Sequence, residues 1–176
     1  MFTCLKVLLS IPVGIGLLYP FFFPDNPGGI LGEFRMLGNA GFVITAALFF
    51  FLVYLYAKDL MRSLELVSPS SQQASPRSVW LMFLLPYNFI EDFFIIRNVS
   101  RSLAAEAQVN PALSGIQSFG FSIGMVWCGA QILSLLPNQI GSVAGFIAIV
   151  FWIWHWVLIR RINARLVKSL AVNGAS

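Results

Sequence analysis

Five long apolar runs are the feature that most restricts what this chain can fold into. They lie at 7–23, 36–57, 79–96, 116–136 and 140–159. Each approaches the roughly 17–25 residues that a helix needs to cross about 30 Å of hydrocarbon. Membrane-spanning strands would be about half as long and would alternate in polarity. The sequence therefore predicts an all-α membrane protein, folded as a single membrane domain over residues 1–176.

The composition of the 176-residue chain supports a lipid environment. Hydrophobic residues make up 58% of the chain and charged residues only 10%, whereas soluble domains carry about 25% charged residues. The net charge of +4 would suit an acidic partner such as nucleic acid. The basic residues, however, lie where apolar runs end, and there they would meet the anionic cytoplasmic leaflet. We therefore expect the lipid bilayer as partner and no nucleic acid.

The distribution of Lys and Arg predicts how many runs cross the membrane, because cytoplasmic flanks carry an excess of these residues. If all five runs cross, the two sides receive four and seven basic residues. If the run at 79–96 does not cross, one side receives ten and the other receives Arg35 alone. The ten are Lys6, Lys58, Arg62, Arg77, Arg97, Arg101, Arg160, Arg161, Arg165 and Lys168. The sequence thus predicts four transmembrane helices at about 7–23, 36–57, 116–136 and 140–159, with both termini on the cytoplasmic side of a cell inner membrane.

The third apolar run differs from the others in two ways. Pro86 interrupts it, and proline both removes a helix donor and pushes the preceding residue toward extended backbone. Glu91 and Asp92 follow, and insertion scales assign about 2.5–3.5 kcal/mol to an aspartate at the centre of a membrane helix. We therefore predict a proline-broken re-entrant or interfacial helical segment over about 79–107. The polar, low-complexity stretch before it predicts a flexible cytoplasmic loop at 66–78.

Four polar residues in the apolar runs form a candidate polar site. Asn88, Glu91 and Asp92 share one helix face, since they are spaced by three and four residues. They could coordinate a cation or relay a proton; the alternative, which we prefer here, is a shallow segment whose carboxylates reach headgroup water or pair with Arg residues. His155 is the only histidine. It could bind a haem or face Glu91 or Asp92 as a titrating pair, but the preferred interpretation is a residue of the interfacial aromatic belt.

Two pairs of glycines predict close helix packing. Gly120 and Gly124 lie in the fourth run, and Gly141 and Gly145 in the fifth, each pair with the small-x-x-x-small spacing that lets helix backbones approach in lipid. The two runs are joined by residues 137–139 alone, which predicts a tight antiparallel hairpin. Packing of its two arms is the expected use of the glycines, and a dimer interface is the alternative.

The motifs of common active sites are missing from the sequence. Cys4 and Cys128 have no second Cys or His at ligand spacing, and Cys128 is expected to behave as a small buried hydrophobe. No nucleophile–base pair, phosphate loop or zinc motif occurs. We therefore predict no catalytic residue, no metal and no cofactor, and a protein that is not an enzyme.

A spaced motif that begins in the third run resembles one of other proteins. It consists of Trp80, Pro86 and Asn88, followed by Arg97, Ser100, Ser102 and Leu103. With the later stretch at 151–156, this motif resembles one of small multi-pass bacterial inner-membrane proteins whose activity is uncharacterised, although Glu91 and Asp92 depart from the more apolar run expected there. The resemblance covers about half the chain, and it implies bacterial origin and membrane location but no chemistry.

Two functional hypotheses follow from the sequence. The first is a non-catalytic accessory or scaffold subunit, which would pack against a membrane-protein partner or a second copy of itself. The second is a small oligomeric transporter or channel, in which Asn88, Glu91 and Asp92 line a cytoplasm-facing cavity. A lipid- or quinone-modifying enzyme ranks behind both, because two acids and one histidine make a thin catalytic set.

Overall fold

The computed structural model describes residues 2–23 and 37–173, and within these ranges the fold is all-helical, without a strand. The all-α prediction is therefore confirmed. Arg35, residue 36 of the second apolar run, and the last three residues of the chain lie outside the described residues. The α-helices are α1 (Phe2–Phe22), α2 (Gly38–Leu66), α3 (Asn88–Glu106), α4 (Phe121–Leu133) and α5 (Gln139–Asn173). Two 3-10 helices, Pro76–Phe83 and Pro111–Leu113, flank α3.

Two helices of the described residues are long and apolar enough to cross a membrane. They are α2 and the part of α5 over Gln139–Ala171. Only 11% and 33% of their most apolar windows are buried within the protein, whereas the core helix of a soluble protein would be mostly covered. The other apolar helices, Thr3–Tyr19 and Phe121–Leu133, are shorter. Length and composition thus support two spans, and the total of four stays a prediction.

The fourth apolar run is helical over less of its length than the sequence predicts. A span was expected at 116–136, but α4 covers only Phe121–Leu133, which at 1.5 Å per residue is about 20 Å. Gly120 precedes the helix with φ of 81°, a left-handed conformation that glycine adopts without steric cost. Pro137 lies just beyond the last helical turn, where its missing N–H would interrupt a continuing helix.

The chain turns back within the third apolar run. The first 3-10 helix ends at Phe83, the Leu85–Pro86 peptide bond is cis, and α3 begins at Asn88. Next to this turn lies α1, where a Cβ built on Gly14 would be 3.4 Å from Pro86 Cγ. The interruption therefore lies at the proline on which the prediction of a broken segment rests.

The connection between α2 and the first 3-10 helix is packed against the end of α3. Ser68 donates to Glu106 Oε2 from its backbone N–H at 2.9 Å and from its hydroxyl at 2.7 Å. The Gln73 N–H donates to Ser102 Oγ at 2.9 Å. Burial alone would raise the pKa of the Glu106 carboxyl, but hydrogen bonds from Ser68, Asn110 and nearby Ser71 outweigh it and lower that pKa. The polar composition predicted a flexible loop here and did not reveal these contacts.

The core lies where α2, α3, α4 and α5 meet. The Tyr56 ring is completely buried and contacts Trp127 of α4 and Trp152 of α5 edge-on, with ring centroids 5.5 and 5.9 Å apart. Further along α5, Asn163 is buried and accepts a hydrogen bond from the Ser63 hydroxyl of α2 at 2.7 Å. The basic ends of α2 and α5 therefore lie side by side.

Candidate functional site

A cavity of about 270 Å³ lies between α2, α3, α4 and α5, with Leu17 of α1 at its edge. Most of its wall is apolar and much of it aromatic, including Phe42, Phe49, Phe50, Phe89, Trp127 and Trp152. Its polar lining consists of Asn88, Asp92, Gln131 and Ser134. A largely apolar pocket with a few polar groups is the usual composition of a small-molecule site.

Asp92 and Asn88 reach the cavity from the first turns of α3. They are four residues apart and so lie on one helix face, and both line the cavity. Asp92 is only 2% exposed, and its Oδ2 accepts a hydrogen bond from Gln131 Nε2 at 2.8 Å. Among the described residues neither its Oδ1 nor the buried Asn88 Oδ1 has a hydrogen-bond partner. Two side chains of the cavity lining thus contain buried acceptors that the described part of the chain leaves unsatisfied.

Glu91 does not line the cavity, although the sequence grouped it with Asn88 and Asp92. It is 7% exposed, and its Oε2 lies 2.5 Å from Lys6 Nζ of α1. The same ammonium lies over the Phe94 ring, 3.9 Å from its centroid. The expectation that the carboxylates would reach headgroup water or pair with Arg residues is wrong for Glu91, because a lysine from the start of the chain neutralises it.

His155 is a core residue, whereas the sequence analysis preferred a position in the interfacial aromatic belt. It is 1% exposed, and its Nδ1 is hydrogen-bonded to the Tyr56 hydroxyl at 2.8 Å. Its Nε2 faces α4, where a Cβ built on Gly120 would lie 2.7 Å away. His155 is not part of the cavity wall, so the four residues of the predicted polar site divide into three separate environments.

Three polar residues of the cavity lining were not identified by the sequence analysis. Gln131 and Ser134 share a face of α4 with Trp127, at spacings of three and four, and this periodicity is the signal that could have identified them. Trp152 contributes a buried indole Nε1 that also lacks a partner. The unsatisfied polar atoms of this region are therefore two acceptors from α3 and one neutral donor from α5.

Two of the four predicted packing glycines lie at contacts between helices. Gly120, just before α4, and Gly124 within it are buried; the first faces His155, and the second faces Ile96 of α3 as well as His155. Gly141 and Gly145 are buried on α5, and Gly145 lines the cavity. The contact of Gly120 with His155, together with the short connection at 134–138, makes α4 and α5 an antiparallel hairpin.

The described residues do not bring together a metal-binding cluster of three or more His, Cys, Asp or Glu side chains. Cys4 is exposed, and Cys128 is buried beside the cavity wall in α4. The acid–amide set of the cavity contains no nucleophile with a base beside it. The unpartnered oxygens of the set can accept hydrogen bonds, and an ionised Asp92 would attract positive charge.

No protein-family model, curated protein or solved structure matches this chain. The functional argument therefore depends on the geometry of the chain itself.

Proposed function

We propose that the chain is a multi-pass inner-membrane protein with four spans, a re-entrant segment and both termini in the cytoplasm. The contacts of the core support this topology. Glu106 at the end of α3 meets Ser68 just after α2, so the chain enters at 76–83, turns at Pro86 and returns to the side it left. Asn163 meets Ser63 on that same side. Nine of the ten basic residues then lie toward that side, in accordance with the positive-inside rule, and Lys6 is bound inside the protein by Glu91.

Cysteine labelling tests this topology. In a Cys4→Ser background, Ser114→Cys should resist an impermeant maleimide added to intact spheroplasts and react after permeabilisation. Gln139→Cys, at the opposite end of the α4–α5 hairpin, should react from outside without permeabilisation. Both positions are exposed, and the remaining Cys128 is buried. Labelling of Ser114→Cys from outside would mean that the run at 79–96 crosses the membrane.

We infer further that the protein is non-catalytic and binds a mostly apolar small molecule in its cavity, as a carrier or transporter would. The observation that carries this inference is the cavity itself. Its lining is largely aromatic and includes residues with buried polar atoms that have no partner among the described residues. Buried polar groups of native proteins are nearly always paired, so an unpaired set indicates an absent partner. The scaffold hypothesis gains no comparable support, because lipid covers exposed apolar helix faces as well as a protein partner would.

Tryptophan fluorescence tests the cavity. Bromine quenches indole emission on contact, and Trp127 and Trp152 both line the wall. We expect 12-bromododecanol to quench the purified protein saturably in a neutral detergent. Ala46→Phe should abolish the saturable part, because Ala46 lines the cavity, whereas Ala47→Phe should retain it, because the neighbouring Ala47 is exposed and lies outside the lining. Quenching that rises linearly in all three proteins would overturn the binding proposal.

A further inference from the structure

The described lining of the cavity contains one acidic side chain, Asp92, and no cation to balance it. Asp92 is 2% exposed, and among the described residues its hydrogen-bond partner is the neutral Gln131 amide. Lys6, the cation that α1 brings to α3, is bound to Glu91. The other ion pair of the described residues, Arg160 with Asp59, involves neither Lys6 nor Asp92.

An isolated buried carboxylate is costly, because the protein must remove its hydration without replacing it. A partner that restores the balance needs positive charge and N–H donors. The free atoms around Asp92 restrict the partner further: Asp92 Oδ1 and Asn88 Oδ1 are both acceptors. A primary ammonium provides three donors, which is enough to satisfy both oxygens. The unpaired Trp152 Nε1 is neutral and leaves this charge balance unchanged.

The remaining wall determines what the ammonium is attached to. Beyond the four polar residues the lining is aliphatic and aromatic, including Phe49, Phe50 and Trp127. Aromatic faces attract a cation that passes near them, and the apolar surface covers a hydrocarbon chain. A bare metal ion would leave this wall without a partner, and a polyamine would place a second charge against it.

We propose that the cavity binds an amphiphilic primary amine, with its ammonium hydrogen-bonded to Asp92 Oδ1 and Asn88 Oδ1 and its hydrocarbon chain along the aromatic wall. This inference rests on the proposed binding function and adds the chemical class of the ligand. Asp92 determines the specificity for charge, and Asn88 provides a second acceptor for the same head group. Charge-assisted hydrogen bonds of this kind are about twice as strong as neutral ones.

A matched pair of probes tests the proposal. In neutral detergent at neutral pH, we expect 12-bromododecylamine to quench tryptophan emission saturably and to bind at least about tenfold more tightly than 12-bromododecanol, because hydrogen bonds to charged groups are stronger than those to neutral ones. Asp92→Asn should remove this preference by weakening amine binding. Glu65→Gln, which removes an exposed carboxylate of α2, should keep the preference.

The outcomes separate the two proposals. Equal affinity for amine and alcohol in the wild-type protein would overturn the amine assignment and leave the binding function intact. The same conclusion would follow if Asp92→Asn kept the amine preference. Saturable binding of neither probe would overturn the binding function itself. In a Cys4→Ser background, a Cys128 thiol that stays unreactive shows that Asp92→Asn is folded, so a loss of amine binding is then specific.

Discussion

Lys6→Met should destabilise the protein by about 3–5 kcal/mol, the usual cost of removing one partner from a buried ion pair. Lys6 Nζ lies 2.5 Å from Glu91 Oε2, and the two side chains are only 16% and 9% exposed. Methionine keeps most of the aliphatic stem of lysine and removes the charge. Glu91 then has no countercharge, at a depth where hydration cannot replace one.

The buried Cys128 thiol provides the measurement. In a Cys4→Ser background, a thiol-reactive dye reports thermal unfolding in detergent, because Cys128 is 0% exposed until the helices separate. We expect Lys6→Met to unfold at a lower temperature than the parent. The double variant Lys6→Met/Glu91→Gln, in which neither charge is left, should unfold at a higher temperature than Lys6→Met. Lys168→Met, an exposed lysine of α5, is the control and should unfold like the parent. If the double variant is no more stable than Lys6→Met, the ion pair is not the cause.

The helical architecture could be read from the sequence because lipid imposes a simple requirement. Backbone groups must be satisfied within each segment, so long apolar runs become helices, and Pro86 shows where one of them cannot continue. The ends of the helices were harder to predict. Hydropathy ended the second run at residue 57 and the fifth at 159, whereas α2 continues to Leu66 and α5 to Asn173. The last turns of both helices contain polar as well as apolar residues, so their mean hydropathy is too low to mark them as part of an apolar run.

The candidate site could be predicted only where its residues are neighbours on one helix. Asn88 and Asp92 share a face of α3, and both reach the cavity. Glu91 and His155 were assigned incorrectly because their partners are distant in sequence: Lys6 is 85 residues from Glu91, and Tyr56 is 99 residues from His155. Periodicity describes one helix at a time and contains no information about which helices meet.

Gly124→Ala should destabilise the protein by about 1–3 kcal/mol, the usual effect of overpacking a filled core. A Cβ built on Gly124 would lie 2.4 Å from Ile96 Cγ2 and 3.3 Å from His155 Cδ2. Ile96 is completely buried, and its β-branched side chain is restricted in χ1, so it cannot turn away at little cost. The main-chain separation of α3 and α4 must then increase.

Gly129→Ala is the matched control within the same helix, and its effect should have the opposite sign. No atom lies within 4 Å of a Cβ built on Gly129, so alanine adds only its helix propensity, about 1 kcal/mol over glycine. Gly124→Ala gains the same helix propensity, which offsets part of its clash. The difference in unfolding free energy between the two variants therefore measures the packing effect alone. Ile96→Leu removes Cγ2 at nearly constant volume and should restore part of the stability of Gly124→Ala. The thiol-reactive dye on Cys128 measures the unfolding temperature of both alanine variants. Equal unfolding temperatures would contradict the close approach of α4 to α3. The same approach brings Gln131 to Asp92.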